Sequence, residues 1–172
     1  MSNETSCAIT NAVIESCLKS IQSTFTSMVM MEIDILECHN KERGTPVGCI
    51  SGSIGLSGKH AESGKDLRSQ ISLIFPERLA FAIFRSMMMM EPDDPAEQEE
   101  VNDTVGELAN MTAGGAKTLL SEKGFDLTIS LPTIAVGHDH YISSPSGSTL
   151  SVVIPIKAQE DTFFVELSAS IG

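Results

Sequence analysis

Residues 102–137 read NDTVGELANMTAGGAKTLLSEKGFDLTISLPTIAVG, and the change of period along them decides the fold class. With Val101 just ahead, Val105, Leu108, Thr112, Ala116 and Leu119 fall within about 80° of one another at 100° per residue, one face of a helix. Gly124 supplies its stop. From there DLTISLPTIAVG changes to β-branched alternation and reads as a strand bent near Pro132. The helix is costly for its composition. Asn110 is a poor helix former, and Gly106, Gly114 and Gly115 each cost about 1 kcal/mol relative to Ala.

Moving upstream, EPDDPAEQEE is an acidic connector that contains the helix start. Asp94 is the expected N-cap, with Pro95 at the first helical position and Glu97 at capping-box spacing. Its negative charge suits a helix N-terminus. ERLAFAIFRSMMMM, from Glu77, is a second helix whose four Met residues read as flexible core filling at its end. SQISLIFP and VGCISGSIGLSG are strands joined by a polar hairpin loop, HAESGKD. The small residues alternating with Ile50, Ile54 and Leu56 imply close backbone neighbours. KERGTP is a turn, and MVMMEIDILECHN a strand. An amphipathic helix over roughly residues 4–24 comes first, with apolar positions at Ile9, Val13, Ile14, Cys17, Leu18, Ile21 and Phe25.

Downstream, YISSPSGS is a loop, and LSVVIPIKA and TFFVELSAS form a hairpin across QED. A long helix followed by hairpin-linked strands thus occurs twice. This predicts a pseudo-repeat of halves, approximately 4–92 and 93–172, within one domain. The strand connections are too short for parallel crossovers. The expected fold class is α+β, a pseudo-symmetric α/β sandwich in which long helices pack on a mainly antiparallel sheet.

Composition narrows the function. The chain has 172 residues, enough for one domain with a substantial core, and 41% are hydrophobic. Aromatic residues make up 5%, with no Trp, which disfavours stacking platforms for single-stranded nucleic acid. A net charge of −12 and the lack of any Lys/Arg cluster oppose binding to phosphate backbones or anionic lipid. Nucleic-acid binding and membrane insertion are not expected. Cys7, Cys17, Cys38 and Cys49 form no CxxC pair or Cys/His ladder, and so read as thiols in a reducing cytosol. MSNETSCAIT carries no basic region followed by an apolar run. No apolar stretch approaches the roughly 20 residues of a membrane helix. The expectation is a cytoplasmic protein.

On the helical wheel Asp103, Glu107 and Asn110 fall within roughly 60° of one another, opposite the apolar face. Gly114 lies one turn beyond Asn110 on the presented side, where a missing side chain lets another surface approach. Gly106 lies at the edge of that face. Gly115 turns towards the buried flank, where packing against a strand is expected. A short motif alone misleads easily, but here the pattern is long: Asp103, three residues, Glu107, two residues, Asn110, 21 residues, Pro132.

That pattern resembles the active-site signature of the CheC/CheX/FliY chemotaxis phosphatases. VGCISGSIGLSG followed by SQISLIFPERLAFAIFRSM is similar to the strand, strand, FPE and helix segment of the same family, so the resemblance covers nearly the whole chain. It implies a phosphatase acting on the aspartyl phosphate of a CheY-like response regulator. Asn110 would insert into the regulator's active site and orient the attacking water, and Glu107 would engage the regulator's lysine. Asp103, Gly114 and Pro132 would support them. It also implies no cofactor on this chain, with Mg²⁺ held by the partner receiver domain.

Aligning the first helix on the third sets Glu15 against Glu107 and Leu18 against Asn110. Leucine cannot orient a water, so the first half looks catalytically empty. One site fits the CheX type, which implies a homodimer. The alternative class is a non-catalytic binding module of a chemotaxis or flagellar switch complex, and the intact Glu107/Asn110 pair favours the enzyme.

Other candidates are weaker. His138 and His140 sit two apart on a strand and point to the same side, without further ligands at metal-site spacing. His39 and His60 read as solvated turn residues. Ser143, Ser144 and Ser146 lie in a loop without a nucleophile elbow.

Overall fold

A computed structural model describes residues 2–172, with side chains from residue 7 onward. Met1, which opens the MSNETSCAIT stretch, lies outside the described residues. Helix α1 (Ser2–Thr24) runs directly into a π-helical turn at Phe25–Val29. Ile9, Val13, Cys17, Ile21, Phe25 and Val29 are buried at four-residue intervals. In an α-helix such spacing drifts by about 40° per step, and the wider π turn swings Phe25 and Val29 back over the core. Met30, in the left-handed conformation with φ 55°, ends the run. The expected MVMMEIDILECHN strand is therefore corrected. Its first residues belong to the π turn, and only β1 (Ile33–Ile35) and β2 (His39–Asn40) are strand.

The remaining elements are β3 (Gly48–His60), β4 (Asp66–Phe75), α2 (Glu77–Met87), α3 (Gln98–Glu122), β5 (Phe125–Ile129), β6 (Thr133–His140), β7 (Leu150–Ala158) and β8 (Asp161–Ile171). They build one sheet in the order β1–β7–β8–β4–β3–β5, with β2 also on β7 and β6 also on β3. All the pairings are antiparallel. Hairpins β3–β4 and β7–β8 meet at the centre, and the leading strands of each half pair with the hairpin of the other. Exchanging β1–β4 with β5–β8 leaves the order unchanged. The fold is the expected α+β class with helices on an antiparallel sheet.

One face of the sheet carries the core. Phe25 from the π turn stacks on Phe163 of β8 at 5.0 Å, and Phe163 on Phe75 of β4 at 4.9 Å. Helix α3 lies so close to β3 that a Cβ on Gly52 would sit 2.9 Å from the Val105 carbonyl oxygen. This is the close backbone approach implied by the small residues of VGCISGSIGLSG.

Two helix ends differ from expectation. Helix α3 is capped by Glu97, whose N–H donates to the Glu100 carboxylate at 3.1 Å. Asp94 instead accepts from the Glu91 N–H at 2.8 Å and closes the preceding turn. At the end of α2, Met87 and Met90 pack against the core, but Met88 and Met89 are exposed. The helix stops at Met87, so the four residues no longer share a face. His60 is half-buried at the end of β3 rather than fully solvated in a turn. It packs on Phe125 at 4.7 Å and its Nδ1 lies 2.9 Å from the Ser63 hydroxyl. His39 is exposed but lies on β2 rather than in a turn.

On the other side of the sheet Lys41 is paired with the fully buried Glu166 and also donates to the Ile142 carbonyl. Ser144 of the Ser-rich loop donates to Glu166 at 3.4 Å and shares a 2.7 Å hydrogen bond with Ser151. The four cysteines are free. Among the described residues no helix is long and apolar enough to cross a membrane.

Candidate functional site

Helix α3 is gripped on two sides. Against the sheet it sets Val105 and Ala109 over Gly52 of β3, and Val101 and Leu108 are buried as well. Against α1 it buries Thr112 and Ala116, and the Ser20 hydroxyl donates to the Thr112 carbonyl at 2.7 Å. A Cβ on Gly115 would lie 2.2 Å from the Ser20 Oγ. Gly115 therefore admits α1, not a strand as expected from the wheel. A Cβ on Gly106 would meet Ile134 Cδ1 at 3.2 Å and Pro132 Cγ at 3.8 Å. The missing side chain at Gly106 lets the β5–β6 bend seat against α3, which brings the distant Pro132 to the helix that carries the other motif residues.

What remains is one outward face. Asp103 and Glu107 are exposed, and Asn110 and Gly114 are half-buried. Among the described residues, no hydrogen-bond or ion-pair partner is found for the side chains of Asp103, Glu107 or Asn110. A Cβ on Gly114 would meet nothing within 4 Å. Two carboxylates and an amide thus stand free on a rigid helix, with open space one turn beyond the amide. An amide can donate and accept simultaneously without titrating near neutral pH. A free carboxylate one turn away can pair with an approaching cation.

Glu15, aligned on Glu107, has a different environment. It accepts from Lys123 at 2.7 Å and pairs with Lys19 at 2.8 Å. Lys123 and, after it, Lys19 bring its carboxyl down to about 2. Leu18, at the place of Asn110, packs against the core. The wheel also placed Leu119 on the buried face. It is Leu120 that is buried, at 1% exposure, while Leu119 is half-buried beside a groove between α1 and α3.

That groove, about 710 Å³, begins at Asn110 and Gly114 and is completed by Lys19, Ser23 and Met28 from α1 and its π turn. Reading the sequence for the motif alone missed these α1 residues. The row of small residues Ser16, Ser20 and Ser23 on α1 was the available signal that a second helix comes close here.

His138 and His140 do point the same way. The Nδ1 of His140 donates to the Gly137 carbonyl at 2.8 Å, which leaves Nε2 to accept from the Ser51 hydroxyl at 2.6 Å. His138 Nδ1 lies 3.9 Å from Cys49 Sγ. Among the described residues no group of three or more His, Cys, Asp or Glu side chains could hold a metal ion.

Residues 50–157 match the family model of the chemotaxis phosphatase CheX. The fold is similar to that of a CheC-like superfamily protein from Shewanella sp. PV-4, with 30% identity, a TM-score of 0.80, and 92% of this chain and 97% of that one covered. Chemotaxis protein CheX from Vibrio vulnificus is 30% identical, with a TM-score of 0.78 over 92% of this chain and 99% of the other. CheX in the CheX–CheY–BeF3–Mg²⁺ complex from Borrelia burgdorferi is 22% identical. It shares the fold, with a TM-score of 0.67 over 92% of this chain and 96% of that one. No curated protein sequence matches. With the family model spanning more than half of its length, and with the fold in agreement, the chain belongs to the chemotaxis phosphatase CheX family.

Proposed function

We propose that this protein dephosphorylates the aspartyl phosphate of a CheY-like response regulator by inserting the outward face of α3 into the regulator's active site. The observation that carries the reading is the unpartnered pair Glu107 and Asn110, one turn apart on a helix fixed from both sides, with open space at Gly114. The Borrelia burgdorferi relative, in a complex with CheY, BeF3 and Mg²⁺, supports the choice of partner.

The chemistry suits the residues. The Asn110 amide holds a water in line with phosphorus. The water oxygen attacks, the bond from phosphorus to the aspartyl oxygen breaks, and inorganic phosphate leaves as the aspartate carboxylate is restored. Phosphoryl transfer demands positioning and charge stabilisation more than covalent help. The receiver domain supplies Mg²⁺ and a lysine. Glu107 pairs with that lysine and sets the register of the docked helix. Pro132 keeps the β5–β6 bend seated against α3, the unpartnered Asp103 adds negative charge to the docking face, and Gly114 leaves clearance for the partner. The protein acts in the cytoplasm, as a homodimer.

Incubation of the chain with Mg²⁺ and a panel of receiver domains carrying labelled phosphate tests the assignment. At least one CheY-type receiver should lose label faster than alone. Unchanged lifetimes across the cognate panel would refute it. A sizing measurement that gave only monomer at high concentration would remove the dimer from the proposal.

A further inference from the structure

The groove between α1 and α3 differs from the rest of the surface in charge. The chain carries a net charge of −12, yet among the described residues no acidic side chain lines this groove, and Lys19 is its only cation. Its apolar lining includes Met28, 44% exposed on the π turn, and Met111 on α3, together with Leu119 and Ile129. Methionine is flexible and polarisable, and adapts to the shape of a bound surface. π turns inserted in helices occur frequently at functional sites. Asn110 therefore sits at a boundary. One and two turns towards the N-terminus stand the free carboxylates of Glu107 and Asp103, and one turn towards the C-terminus the groove opens at Gly114.

We infer that this groove seats the surface of the phosphorylated receiver adjoining its aspartyl phosphate, with Met28 and Met111 as specificity-determining contacts. This rests on the phosphatase reading above. The receiver's phosphoryl group and the carboxylates around its Mg²⁺ make that surface acidic. It is repelled by the Asp103–Glu107 end of α3 and accepted by the groove end, where Lys19 and Lys123 share the single carboxylate of Glu15 and leave a net positive charge. The receiver's lysine lies at the opposite end, against Glu107. The two ends of the face thus set the direction in which the partner lies along α3. The groove is continuous with the catalytic face, because Asn110 and Gly114 line both.

The test uses a CheY-type receiver domain phosphorylated with acetyl phosphate in Mg²⁺, with initial rates measured against receiver concentration. Met28→Glu introduces a carboxylate at an exposed position and should raise KM about tenfold, or 1.4 kcal/mol of binding, while kcat stays within about twofold. Met28→Leu should restore KM. Ser23→Glu, which places a carboxylate at an exposed helix position, should raise KM in the same way. A wild-type KM for both Met28→Glu and Ser23→Glu, with Asn110→Ala inactive, would overturn the groove assignment and leave the phosphatase reading standing. Full activity of Asn110→Ala, or no receiver dephosphorylated, would overturn both.

Discussion

The Ser20 hydroxyl donates a 2.7 Å hydrogen bond to the carbonyl of Thr112, two residues beyond Asn110. It ties α1 to the helix that carries the unpartnered amide, at a point where Gly115 leaves out a side chain that would push the two helices apart. Rigid support of this kind is what a positioning mechanism needs, since a misplacement of about 1 Å can cost about a hundredfold in rate.

Gly115→Ala places a methyl group 2.2 Å from the Ser20 Oγ and 3.1 Å from its Cβ. The helices must separate or the hydrogen bond must break. Thermal and denaturant unfolding should show a loss of about 1–3 kcal/mol. An unchanged melting temperature would mean that the helix contact is looser than described.

Gly114→Ala is the contrasting substitution. With nothing within 4 Å of the new Cβ, the helix should gain about 0.5–1 kcal/mol. Dephosphorylation should nevertheless slow, because the methyl group occupies clearance used by the partner. A variant both more stable and fully active would remove Gly114 from the docking surface.

Lys41→Met leaves the carboxylate of Glu166, 1% exposed, without its cation. Burial already pushes the Glu166 carboxyl up, and Lys41 is the largest opposing influence. Breaking one side of such a pair should cost about 3–5 kcal/mol. Denaturant unfolding of Lys41→Met beside Lys41→Met/Glu166→Leu measures it, and the double variant should recover much of the loss. Equal stability of wild type and Lys41→Met would contradict the pairing.

Glu15 gives an acid-dependent prediction. Its carboxyl is lowered from 4.5 to about 2 by Lys123 first and Lys19 second. A depressed carboxyl stabilises the fold above the unfolded value and loses that contribution as it is protonated. The stability difference between wild type and Glu15→Gln should therefore be present above pH 4.5 and vanish as pH falls towards about 2. The group is fully exposed, so the difference is small. A difference that grew with falling pH would reverse the sign of the argument.

The helix-to-strand change after Gly124 and the antiparallel sheet were legible because periodicity and short connections are local properties of the chain. So was the outward position of Asp103 and Glu107, which follows from 100° per residue. What escaped was set by distant residues. The π turn is fixed by Val29 continuing the buried row of α1, which turns an apparent strand into a helix end. The cap passes from Asp94 to Glu97 because Glu100 stands three residues further on, while Asp94 closes its own turn. Gly115 faces Ser20 across a separation of 95 residues, and Lys41 meets Glu166 across 125. Neither pairing leaves a local trace. The groove was hidden for the same reason, since half of it comes from α1.

The central claim is that the Asn110 amide positions the attacking water. Its most direct measurement is the single-turnover rate of phosphate release from a CheY-type receiver, phosphorylated with acetyl phosphate in Mg²⁺, at saturating wild type or Asn110→Ala. The account predicts that Asn110→Ala binds the receiver and keeps its melting temperature, yet releases phosphate about a hundredfold more slowly. Release at the wild-type rate by Asn110→Ala would contradict it.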